Sequence, residues 1–177
     1  MNAVAAAPIN LTDLLVSPAM AGASSSASHA AYGIPRQSWR GVREQSEPMV
    51  LYAPSQALSA GWFHPSVEGI SSVLRLRRGW DSYDARPITH VSAQSALTFL
   101  SRVLEATTAP PAVVPLADGG VQIEWHRGGL DVEIAFSPGD APEMYIADHE
   151  TGASWDLDPS TADFEEVRPL LARLRAE

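Results

Sequence analysis

The sequence predicts an α+β domain: two helices, a four-stranded antiparallel meander and a C-terminal helix, behind a low-complexity N-terminal arm. Three observations carry this. Apolar residues recur at three- and four-residue spacing over 67–74 and again over 93–104. Apolar and polar residues alternate strictly over 121–126 and 130–136. Residues 1–60 are rich in Ala, Ser, Gly and Pro, and the stretch 21–28 has no apolar period at all.

The elements follow in order. Two islands stand out in the arm, which is set at 1–60 against a compact domain at 61–177. Residues 9–16 predict a turn or two of helix, with Ile9, Leu11, Leu14 and Leu15 apolar. Residues 48–54 predict a short extended strand bracketed by Pro48 and Pro54, which suits an edge. Pro65 and Ser66 open the first helix, whose apolar face is Val67, Ile70, Val73 and Leu74. Gly79 is its expected C′ residue, after Arg75, Arg77 and Arg78. A loop over 80–87 leads to a second helix from about 90 to 107, packed through Ala93, Ala96, Leu97, Leu100, Val103 and Leu104, and ended by Ala109-Pro110-Pro111.

Val113–Leu116 reads as extended, and Asp118-Gly119-Gly120 as a turn. The four meander strands are 121–126, 130–136, 143–148 and 153–157, with tight turns at 127–129 and 149–152. Ser160 and Asp163 resemble a capping box. The last helix buries Phe164, Val167, Leu170, Leu171 and Leu174. Pro169 must kink it or tighten its geometry, because proline removes a backbone donor.

The chain of 177 residues has 21 acids against 12 bases, a net charge of -9, no cysteine and no lysine. The first 60 residues are neutral, so the whole excess falls on 61–177. Absence of cysteine excludes a disulfide framework, a thiolate metal site and a cysteine nucleophile. No apolar run approaches the roughly 18 residues of a membrane helix. The acidic balance argues against phosphate-directed nucleic-acid binding, for which Arg75, Arg77, Arg78 and Arg86 are the one candidate cluster. The N-terminus lacks a positive n-region and Asp13 interrupts its apolar stretch, so a cytoplasmic or particle-assembled protein is expected. An Ala-x-Ala-like site at 21–23 keeps export as an alternative.

Two constellations could carry chemistry. The polar face of the central hairpin holds Gln122, Glu124, His126, Asp131 and Glu133. A turn at Gly128-Gly129 sets Glu124 opposite Glu133, and a turn at Arg127-Gly128 sets it opposite Asp131. Either register opposes two carboxylates, which costs stability. A solvated face, an Arg-rich partner surface or a metal or acid–base site would each account for that cost. The second is the loop Trp80-Asp81-Ser82-Tyr83-Asp84, where two acids flanked by aromatics make either a ligand site or a structural turn. Asp118-Gly119-Gly120 lacks the lysine and spacing of a phosphate loop. No nucleophile motif is present, and the five histidines are scattered.

The runs Gly79-Trp80-Asp81-Ser82-Tyr83-Asp84-Ala85-x-Pro87-Ile88 and Asp118-Gly119-Gly120-Val121-x-Ile123-Glu124-Trp125 resemble a group of small bacterial and phage-associated proteins of no established activity. Those proteins carry a Trp-Asp-Gly-x-Gly-Ala-type loop and an Asp-Gly-Gly-x-x-x-Glu-Trp-type strand. The likeness spans about residues 70–136. Ser82 and Asp84 stand where that pattern has glycine. The resemblance implies one compact module and no catalytic residues.

The expected function is a non-enzymatic protein-interaction module needing no cofactor or metal. It would be a neutralising partner of the antitoxin, immunity or inhibitor type, or an assembly component of a phage or other particle. Its partner is a protein, basic in character, or a second copy of itself. The binding residues expected are Glu124, Asp131, Glu133, Trp80, Asp81, Leu11, Leu14 and Leu15. The alternative is a small hydrolase using Asp81, Asp84, Glu124 or His126.

Overall fold

The structure, a computed structural model, describes residues 6–10, 50–161 and 163–176. Strands β1 (Ala6–Asn10) and β2 (Val50–Pro54) pair antiparallel as a ribbon. Helices α1 (Phe63–Leu74) and α2 (His90–Val103) follow. A five-stranded meander comes next: β3 (Ala112–Pro115), β4 (Val121–Arg127), β5 (Leu130–Phe136), β6 (Glu143–Asp148) and β7 (Ala153–Leu157). Helix α3 (Asp163–Val167) runs directly into a 3-10 helix over Arg168–Leu174.

The sheet has one strand more than the four expected. The extra strand is β3, a four-residue edge strand that ends on Pro115. An edge tolerates proline because the missing N–H faces away from the ladder. Of the 48–54 island, Val50–Pro54 is a strand as expected, and residues 48 and 49 lie outside the described residues. Its partner was not expected: Ile9 and Asn10 lie in β1, not in a helix, opposite Leu51 and Val50. Leu11, Leu14 and Leu15 lie outside the described residues.

Helix boundaries differ for local reasons. α1 starts at Phe63, so Pro65 sits in its first turn, where no N–H is needed. It ends at Leu74. Gly79, at φ 76°, closes the following loop instead, its N–H donating to the Ala85 carbonyl at 2.8 Å. α2 ends at Val103 because Leu104 turns extended, and the Ala106 carbonyl then accepts from Gly61. Asp158, rather than Ser160, organises the entry to α3: its carboxylate accepts the Ser160 N–H and its carbonyl the Thr161 hydroxyl. Pro169 marks the switch to the tighter 3-10 form.

The core lies between the helices and one face of the sheet. β4 buries Val121, Ile123 and Trp125, β5 buries Leu130, Val132, Ile134 and Phe136, and β6 buries Met144 and Ile146. Val67 and Ile70 of α1, with Ala93, Ala96, Leu97 and Leu100 of α2, close over them. Phe99 joins sheet and C-terminus, its ring 5.7 Å from Phe136 and 5.9 Å from Phe164. The core takes in Leu51, Ala53, Ala57 and Ala60 as well, from before residue 61. The other face of the sheet carries the alternate, polar residues, as one-sided antiparallel sheets do.

Candidate functional site: an open acidic sheet face

The register of the meander builds this face row by row. Gly128 (φ 61°) and Gly129 (φ 69°) form a two-residue turn with both centres left-handed, the conformation that matches strand twist. Of the two registers the sequence allowed, this one sets Glu124 opposite Glu133 and His126 opposite Asp131. The next strands extend the row: Glu133 faces Tyr145, and Tyr145 faces Asp156. Glu124, Glu133, Tyr145 and Asp156 thus cross four strands, about 14 Å at ordinary strand spacing.

The opposed glutamates are not left to repel. The side-chain amide of Gln122 donates to Glu124 Oε1 at 2.7 Å and to Glu133 Oε2 at 3.3 Å. One neutral donor bridges two like charges.

Beside this row lies a second network. His126 Nδ1 is 2.9 Å from Asp131 Oδ1, and His149 Nε2 is 2.8 Å from Asp131 Oδ2. A carboxylate only accepts, so both facing ring nitrogens carry hydrogens. His126 Nε2 also lies 3.5 Å from Glu124 Oε2. The Asp131 hydrogen bond, and then that of Glu124, hold the His126 imidazole above its ordinary 6.5. The His126 bond, and then the His149 bond, hold the Asp131 carboxyl below its ordinary 3.8. His149 was not among the expected site residues. Its place in a turn gave no periodic signal, and only the β5–β6 register brings it to Asp131.

Towards the β7 edge the face opens into a groove of about 790 Å³. Five carboxylates line it, Glu133, Asp140, Glu143, Asp156 and Asp158, around a Tyr145 that is 38% exposed. Among the described residues, no basic side chain lines it. The Ser160 hydroxyl and N–H hold Asp158 below the usual carboxylate range.

Trp80 and Asp81 belong elsewhere. Asp81 Oδ1 accepts the N–H groups of Tyr83 (2.9 Å) and Ala85 (3.2 Å), and the Trp80 indole donates to the Arg86 carbonyl. Arg78 pairs with Asp84 at 2.6 Å. The loop is then sewn to the Asp118-Gly119-Gly120 turn: Arg86 N–H donates to Ala117 O and Thr89 N–H to Gly119 O. Gly119, at φ 94°, has no room for a Cβ, which would lie 2.9 Å from the Pro87 carbonyl. The two runs that carry the resemblance therefore form one structural joint. Among the described residues, no hydrogen bond or ion pair links Trp80 or Asp81 to Glu124, Asp131 or Glu133.

The described residues contain no group of three or more His, Cys, Asp or Glu suited to a metal ion. No helix among them is long and apolar enough to cross a membrane.

No family model, curated protein or solved structure matches this chain.

Proposed function

We propose that this protein is a non-enzymatic interaction module that receives a basic partner protein on the open face of its sheet. The observation that carries the reading is the groove itself: five carboxylates and a tyrosine, with no cation among the described residues that line it. Arginine and lysine side chains of a partner would meet charge-assisted acceptors there, and Tyr145 would supply apolar contact area. Of the binding residues expected, Glu133 lines the groove, Glu124 continues its row, and Asp131 braces the neighbouring histidines. A basic toxin or effector neutralised by this chain, or a basic subunit of an assembled particle, would each present such a surface.

The hydrolase reading has less support. Asp81 is spent on its own loop, and Asp84 on Arg78. Glu124 is bonded by the Gln122 amide, and His126 by Asp131.

The test is a paired capture from host extract with the full chain and its Glu133→Arg/Asp156→Arg variant. The expected result is a stoichiometric basic protein held by the first, lost from the second, and released by salt. Retention of the same protein by both overturns the reading.

A further inference from the structure

The meander has two edges, and they are not alike. β3 is four residues long, ends in Pro115 and lies against α1, where Gly69 admits the Val113 side chain. β7 is regular, proline-free and paired only with β6 among the described residues. None of its five residues is buried. That includes Trp155 and Leu157, which pack against the core but are only partly buried, whereas the equivalent rows of β4, β5 and β6 are covered. Among the described residues the core side of the sheet is less fully covered at this edge, and the other side there is the acidic groove.

Resting on the interaction reading above, we propose that β7 is a strand-addition site for an extended partner segment alternating basic and apolar residues. An added strand continues the existing rows. Its residues on the open face fall beside Ser154 and Asp156, at the mouth of the groove, where a basic side chain is matched. Its residues on the other face fall beside Trp155 and Leu157, where an apolar side chain completes their burial. Main-chain hydrogen bonds to β7 would supply affinity, and the alternation would supply specificity. A second copy is the poorer occupant, because joining two β7 edges sets two acidic faces side by side.

The probe is a synthetic peptide, Arg-Val-Arg-Val-Arg-Val-Arg, titrated into the full chain and followed by amide hydrogen exchange. Two controls are the same peptide N-methylated at alternate residues, in either phase, and Glu-Val-Glu-Val-Glu-Val-Glu. The proposal expects slowed exchange at β7 amides within 153–157 on binding. It expects roughly tenfold weaker binding for one N-methylated phase only, and no binding of the acidic peptide. These controls alter the peptide and cannot unfold the protein. Binding that leaves 153–157 unprotected, with both N-methylated phases equal, overturns strand addition and leaves the acidic-face reading standing. No binding of the basic peptide even at low salt overturns both. A dimer of this chain that the basic peptide cannot dissociate, and that protects 153–157 by itself, overturns the choice of occupant.

Discussion

At Ser82 the backbone sits at φ 70°, the one left-handed non-glycine centre among the described residues, in a loop whose neighbours are all hydrogen-bonded. A serine there carries strain of roughly 1 kcal/mol, which glycine would not. Ser82→Gly is therefore expected to raise stability by up to about 1 kcal/mol in urea unfolding, its exposed hydroxyl being no loss. Gln122 offers a second test. Gln122→Ala leaves Glu124 facing Glu133 without the amide that bridges them, at an expected cost of about 1 kcal/mol. The cost should shrink in a Glu133→Gln background, and a double-mutant cycle measures the difference. A third concerns His126. Its folded pKa is raised, so its ion pair stabilises fully below the ordinary histidine value and is lost as pH rises through the raised one. Asp131 is depressed, so its share is present above 3.8 and lost as pH falls through the depressed value. His126→Asn should destabilise most between those limits and converge on wild type in alkaline solution, read from urea midpoints across pH.

The ribbon and the hairpins show what each element needs from its neighbours. β2 presents one edge to β1 and the other to α2, where Gln94 imitates a strand. Its amide accepts from Tyr52 N–H at 2.8 Å and donates to Tyr52 O at 2.9 Å, while His90 Nε2 meets Val50 O at 2.7 Å. Gln94→Ala should cost about 1 kcal/mol and speed exchange of the Tyr52 amide without touching that of β4 or β5. The strand at β2 was legible in the sequence; its two partners were not, for a physical reason. β1 reads Ala-Ala-Pro-Ile-Asn, which has no alternation, and Gln94 is a side chain forty-odd residues away from the strand that it caps. The β4–β5 hairpin was legible because burial of one face imposes a period of two, and its turn needs two glycines. Even so the sequence left two registers open, and in the one observed the turn packs closely against the C-terminus. A Cβ on Gly128 would lie 2.6 Å from the Arg173 carbonyl, and the Arg173 guanidinium donates to Gly128 O. The same arginine reaches Asp148, almost fully buried, at 3.0 Å. Burial pulls the Asp148 carboxyl up, but the Glu150 N–H, Arg173 and Thr151 outweigh it and hold the group low.

Across the whole molecule the charge has a direction. The net -9 falls outside the first 60 residues, and five of its carboxylates line one groove on the polar sheet face, with no cation among the described residues there. Acidity was plain from composition, and the alternation named Glu124, Asp131 and Glu133. Their gathering with Tyr145 and Asp156 was not legible, because it depends on cross-strand register over four strands. Trp80 and Asp81 read in sequence as either a ligand site or a structural turn, because both use the same residue types, and they serve as a joint. The central claim is that the groove, and not this joint, receives the partner. The direct measurement is a titration of the captured partner against the full chain and its Glu133→Arg/Asp156→Arg variant over a range of salt. The account predicts binding at least roughly tenfold weaker for the variant, with a flatter salt dependence. Equal affinity and an unchanged salt slope would contradict it.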